Sequence, residues 1–213
     1  MLKLVSVCFL FVGLCVSGVS SAKEKPAAKK FRVLCLGDSL TEGYGVAKKD
    51  SYPSQVERLI SKNKSIEVIN GGISGATTAG SLKRLNWHLK GKKKPDVLIL
   101  ALGANDGLRG QDVENSRKNL EETITLAKKN NIKVLLAGMK MPPNYGNKYT
   151  RAFEKMFPEM AKKFSLPIIP FLLEGVAAEK NLNLPDGIHP NPRGYAIVAK
   201  NVVKHLMPLL ESP

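Results

Sequence analysis

Five short apolar runs, each followed by an amphipathic stretch, limit what this chain can fold into more than any other feature of it. Phe31 to Leu36, Ile66 to Ile69, Val97 to Leu102, Val134 to Ala137 and Ile168 to Phe171 suit strands buried on both faces. Between them, Ser51 to Ser61, Thr78 to Leu89, Val113 to Lys129 and Tyr149 to Phe164 carry apolar residues three and four apart with charges on the opposite side, and Asn191 to Leu210 closes the chain in the same way. Asn191-Pro192 has the form of an N-cap followed by proline at the first helical position. Strands that alternate with helices need crossover connections, which produce a mostly parallel sheet covered on both faces. The expectation is a three-layer α/β/α domain over residues 31–213, of a length that fits one hydrophobic core.

In an open α/β sheet the ligand crevice lies outside the carboxyl ends of the strands, so the residues just after each run are the ones that matter. After the first run comes Gly37-Asp38-Ser39-Leu40; after the second, Asn70-Gly71-Gly72-Ile73-Ser74-Gly75; after the third, Gly103-Ala104-Asn105-Asp106; and before the last helix, Asp186-Gly187-Ile188-His189-Pro190. A serine nucleophile needs a base, the base needs a carboxylate to hold its tautomer, and the developing oxyanion needs donors already aimed. Ser39 at a strand end is the candidate nucleophile, although Gly, Asp and Ser are also ordinary turn residues. His189 is the candidate base, because His88 and His205 sit inside amphipathic stretches. Asp186, three residues before it, is the candidate orienting acid. Asp and His can also bind metal, but no second histidine or cysteine stands nearby, and a zinc site would be short of ligands. Gly72 could turn its backbone N–H toward a substrate oxygen, or be a plain turn glycine; Asn105 could donate its amide to the same oxygen, or form an Asx-turn. With the N–H of Ser39, at a helical turn whose amino end favours negative charge, these would make three donors.

Residues 1–22 stand apart: Lys3, an uncharged apolar run from Leu4 to Val16, then small residues ending at Ala22. That order is the one of a secretory leader cleaved after Ala22, and the run is shorter than the roughly 20 residues a membrane-spanning helix requires. Leu14 is bulky where a lipid-attachment signal at Cys15 would need a small residue. Cleavage would remove Cys8 and Cys15, leaving Cys35 as a small buried hydrophobe with no disulfide partner. The location expected is then outside the inner membrane, in the periplasm, with residues 23–30 as a flexible lysine-rich lead-in. The chain carries a formal charge of +15, which favours anionic partners such as a membrane surface, but its lysine runs, 23–30 and 90–94, lack the interleaved aromatics of a single-strand nucleic-acid binder. No nucleic-acid partner is expected, and the chain is expected to act as a monomer.

The four blocks, in this order, resemble the signature blocks of the SGNH (GDSL) hydrolase family. The resemblance implies a flavodoxin-like five-stranded parallel sheet, no cofactor, Ser39 as nucleophile, His189 as base, Asp186 as its acid, and an oxyanion hole of Ser39, Gly72 and Asn105. Leu102 to Gly110, Met141 to Gly146 and Pro167 to Phe171 look most similar to the bacterial periplasmic thioesterase, lysophospholipase and arylesterase branch. That implies acyl esters and thioesters of lipids or aryl alcohols as substrates, a mobile acyl-binding loop at Asp106 to Gln111, and Asp106, Leu108, Met141 and Pro142 beside the acyl group. Leu184 adds apolar character to the same region. Lys140 stands where a larger arginine is common in the branch, and the chain is far more basic. The same chemistry on acetylated carbohydrate, and a non-catalytic lipid-binding domain on this fold, are the competing readings.

Overall fold

A computed structural model describes residues 30–91 and 93–211. The expected leader over 1–22 and all of the lead-in but Lys30 lie outside the described residues. The chain enters β1 (Phe31–Gly37), makes one helical turn α1 (Ser39–Glu42) and a helix α2 (Tyr52–Ile60), and returns as β2 (Ile66–Gly72). Helix α3 (Ser81–Leu89) leads to β3 (Val97–Ala101), then α4 (Ala104–Leu108) and α5 (Val113–Lys129) to β4 (Lys133–Ala137). Helix α6 (Asn147–Phe164), β5 (Ile168–Ile169) and α7 (Pro192–Glu211) complete it. The strands lie in the order β2-β1-β3-β4-β5 and every pairing is parallel, the five-stranded flavodoxin-like sheet expected.

Right-handed crossovers explain the layers. The connection from β1 to β2 runs one way along the sheet, and those from β2 to β3, β3 to β4 and β4 to β5 run the other, so α2 covers one face and α3, α5 and α6 the opposite one. Helix α7 returns to pack on α2, while α3 packs on α5 and α5 on α6. The strand interiors Leu34, Leu36, Leu98, Ile99 and Leu100 are enclosed between these layers, with Phe153 and Phe157 in edge-to-face contact at 5.4 Å on one side and Tyr52 and Tyr195 also fully buried. Cys35 lies in this core, and burial pushes its thiol up to about 12, so it is an inert interior group. Asn191 caps α7 as its position suggested, its Oδ1 accepting from the N–H groups of Arg193 (3.0 Å) and Gly194 (3.1 Å).

Two elements differ from the sequence reading. β5 stops after two residues instead of continuing to Phe171, because Pro170 has no N–H to extend the ladder at this sheet edge. β2 runs on through Gly72, where the reading ended at Ile69. That extension sets the register: Gly37 lies opposite Gly72 on one side and Ala101 on the other, so three strands finish at one level. Helix α1 begins two residues after β1 and lies down across those ends. A methyl group at Gly37 would strike the Thr41 side chain, and one at Gly72 would strike the backbone of Glu42.

Gly72→Ala is therefore expected to lift α1 off the sheet and destabilise the protein by about 1–3 kcal/mol, the usual range for overpacking. Gly80→Ala meets open space beyond the flexible end of Arg84 and is expected to change stability by under about 0.5 kcal/mol. Urea unfolding of the two variants beside the parent checks both.

Candidate active site

Ser39 is the first residue of α1, held over the carboxyl end of β1 by its N-cap Asp38, whose Oδ1 accepts from the Leu40 N–H at 3.0 Å. The segment before α7 brings the remaining two groups from far along the chain. His189 Nε2 lies 2.8 Å from Ser39 Oγ, and His189 Nδ1 lies 2.8 Å from Asp186 Oδ2. The other Asp186 oxygen accepts from the N–H groups of Ile188 and His189, both at 3.0 Å, so the carboxylate is fixed by its own turn. Since a carboxylate only accepts, Nδ1 carries the proton and Nε2 is left to accept from the serine hydroxyl. Burial works against the Asp186 charge, but the hydrogen bond from the His189 side chain and the two backbone N–H groups outweigh it and hold its pKa below the ordinary carboxylate value.

The three histidines separate as expected. His88 is half-buried in α3 and His205 bonds Asn201 O within α7. Only His189 faces a hydroxyl.

The donors around Ser39 differ from the sequence reading in one respect. Gly72 is the last residue of β2, its N–H already donates to Asn70 Oδ1 at 2.9 Å, and it does not line the cleft that opens beside Ser39. Gly75 does line that cleft, with φ at +75°, and its N–H donates to no protein group among the described residues. The sequence Gly71-Gly72-Ile73-Ser74-Gly75 offers three glycines, and strand extension takes up the first two for close packing. Asn105 lies beside Ser39 in the cleft as expected; one amide proton goes to Ala76 O at 3.0 Å, which leaves the second facing away from that bond.

Asp106 is the second correction. The residue is 1% exposed, and its carboxylate accepts from the Thr78 N–H at 3.0 Å, the Thr78 hydroxyl at 2.6 Å and the Ser116 hydroxyl at 3.3 Å, so it binds α4 to the turn before α3 and to α5. It does not reach the cleft. Leu108, Met141 and Pro142 do line it, with Leu40, Met139, Phe171 and Leu173, in an apolar cavity of about 560 Å³. Lys140 lines it as well, its ammonium 5.2 Å from the centre of the Phe171 ring. Leu184 lines a smaller neighbouring hollow and packs toward Gly45.

Three further residues shape the site without having been visible in its motifs. Glu42, three residues after Ser39, accepts from the Ser74 N–H at 2.7 Å and also from the Ser74 hydroxyl, gripping the turn that carries Gly75. Arg84, from α3, donates to the carbonyls of Gly37, at 2.8 Å, and Gly71, tying the ends of β1 and β2 together; the Gly37 carbonyl also accepts from the Ile73 N–H at 3.2 Å. Tyr44 lays its ring 4.6 Å from that of His189. Spacing alone offered no sign of them, since each acts on a group brought in by folding. Among the described residues no three His, Cys, Asp or Glu side chains stand together as a metal-binding group.

A parallel α/β sheet with a Ser-His-Asp line over its carboxyl edge and an apolar cleft alongside defines a serine hydrolase. Residues 35–197 match the family model of the GDSL-like lipase/acylhydrolase family, and the chain belongs to that family. It is 36% identical to an arylesterase of Vibrio mimicus over 97% of this chain and 100% of that one. It is 35% identical to the thioesterase 1/protease 1/lysophospholipase L1 of Escherichia coli (strain K12), over 86% of this chain and 87% of the relative. Among solved structures, that of TesA covers 84% of this chain and 99% of its own, with a TM-score of 0.79 at 34% identity.

Two measurements follow from the site. Glu42→Ala is expected to lower kcat by roughly ten- to a hundred-fold through a misplaced Ser74–Gly75 turn, with KM less affected, while Glu42→Gln keeps an acceptor oxygen and recovers most of the rate. Steady-state kinetics on one soluble ester decides it. Asp38 is enclosed with one oxygen unpartnered, and burial pushes its pKa up to about 6 against the opposing pull of the Leu40 N–H and the charges of His189 and Arg84. Its folded pKa exceeds the unfolded one, so its contribution to stability is full below about pH 4 and is lost as pH rises through about 6. Asp38→Asn should remove that fall and gain up to about 3 kcal/mol near neutral pH. Urea unfolding across pH 4 to 7 tests it, with a parallel decline in both proteins counting against it.

Proposed function

We propose that this protein hydrolyses medium- and long-chain acyl esters and thioesters, lysophospholipids among them, through an acyl-Ser39 intermediate. The observation that carries the reading is the continuous Asp186–His189–Ser39 line of 2.8 Å contacts opening into an apolar cavity of about 560 Å³, a volume in the range of small-molecule sites and far larger than an acetyl group needs. His189 Nε2 takes the Ser39 proton as Oγ attacks the acyl carbon, and Asp186 steadies the imidazolium that forms. The oxyanion is received by the N–H groups of Ser39 and Gly75 and by the free amide proton of Asn105. The leaving alcohol or thiol departs with the proton from His189, and a water molecule then repeats the sequence to release the acid. The acyl chain lies along Leu108, Met141 and Pro142, and the arylesterase and lysophospholipase names of the relatives fit a cleft that accepts an apolar chain without demanding one alcohol. Export by the leader over 1–22 belongs to the same reading, since lysophospholipids are at hand beside a membrane.

Hydrolysis of p-nitrophenyl esters from acetyl to palmitoyl, with Ser39→Ala in parallel, tests the proposal. A rate maximum at medium or long chains, lost in the variant, is expected; activity confined to acetyl would turn the reading toward deacetylation. Asn105→Ala should lower kcat by about two to three orders of magnitude, roughly 2.7–4 kcal/mol of transition-state stabilisation, while the protein still folds.

A further inference from the structure

Four large apolar side chains stand exposed among the described residues. Tyr44 and Ile188 line the cleft and Ile73 adjoins its Ser74–Gly75 wall. The fourth, Trp87, belongs to no part of it. It is the chain's only tryptophan and is 71% exposed, in the last turn of α3. The next element after α3 is the start of β3, which places Trp87 toward the amino ends of the strands, away from the catalytic edge.

Beside it runs a groove of about 710 Å³, floored by Leu34 and Ile69 and walled by His88, Lys90 and Lys93. Arg32 also reaches it, but its charge is offset by Glu67 at 3.1 Å. Glu67 lines the groove too and its charge is felt by Lys30 and Lys93, but its ion pair is with Arg32. Lys90, Lys93 and Lys94 are exposed, no ion pair with a carboxylate holds them among the described residues, and Lys94 bonds only the neutral Asn130 side chain, at 3.1 Å. The chain enters β1 at this same end behind exposed Lys30, the last residue of a stretch holding Lys23, Lys25 and Lys29 against Glu24 alone.

We infer that the Trp87 face docks on the surface of an anionic lipid bilayer. The unpaired ammonium groups draw it to the phosphates of the headgroups, and the indole, apolar in body with one polar N–H, settles at the boundary between headgroup and acyl chain. Nucleic acid suits the face less well, because one isolated aromatic offers no row of stacking platforms along a basic channel. Docked this way, the protein keeps its cleft open to the aqueous side. The inference does not depend on the catalytic reading, since the two faces share no residue.

A single tryptophan makes the test direct, because all indole emission comes from Trp87. The purified protein is mixed with vesicles of ether-linked phosphatidylglycerol, which no esterase can degrade, or of ether-linked phosphatidylcholine. The expected result is a blue shift of the emission and co-sedimentation with the anionic vesicles only, both reversed by high salt. Lys90→Glu with Lys93→Glu should weaken vesicle affinity on the order of 20-fold or more while the melting temperature is kept. Trp87→Ser should also weaken co-sedimentation. Absence of a shift, equal binding to both lipids, or binding that ignores the lysine substitutions would overturn the inference, as would a single-stranded oligonucleotide that binds more tightly than the anionic vesicles.

Discussion

The seat of α1 on the ends of β1 and β2 is the constraint on which the rest of this protein depends. The backbone of α1 lies on Gly72 and the Thr41 side chain on Gly37, with no space for a side chain at either glycine, and that closeness brings Ser39 over the sheet at the level where β3 also ends. The arrangement is stiffened from three directions. Arg84 donates to the carbonyls of Gly37 and Gly71, Glu42 reaches across to Ser74, and Asp38 caps the turn itself. A nucleophile on a freely moving loop would give up the pre-organised geometry from which most acyl-transfer catalysis derives.

The two aspartates near Ser39 show how burial and hydrogen bonding divide one residue type between two tasks. Asp186 sits partly exposed with two backbone N–H groups and an imidazole N–H on its oxygens, so it stays ionised and can steady a positive histidine. Asp38 has a single N–H and is enclosed, and its charge is disfavoured despite the cations near it. A structural acid that is reluctant to ionise and a working one that ionises readily serve the same site. The first belongs to the architecture of the turn and the second to the chemistry, although both stand within a few residues of a group in the site.

Three of the site blocks were legible in the sequence because each follows a strand, and a parallel sheet gathers strand ends at one edge whatever the details; the fourth, Asp186 to Pro190, stands just before the last helix. The alternation of apolar runs and amphipathic stretches was similarly sufficient for the layers. What failed did so for local reasons. Asp106 stands in the same block as Asn105 and looks equally functional, yet α4 turns it inward to Thr78 and Ser116. Gly72 looked like the oxyanion glycine because nothing in the run Asn70 to Gly75 reveals where the strand stops. Pro170 did carry a signal for the early end of β5, in its missing N–H.

By itself the sequence determined the strand and helix periods, the capping of α7, the burial of Cys35 and the identity of the serine, histidine and aspartate that could act together, because each is written in local residue type and spacing. Only the tertiary structure decided which glycine faces the cleft, that Glu42 grips a turn 32 residues away, that Arg84 closes two strand ends, and that the lone tryptophan lies away from the catalytic edge among unpaired lysines. Those are relations between segments distant along the chain. They depend on register and close approach, and no local pattern encodes the distance between two elements that meet only when the sheet is complete.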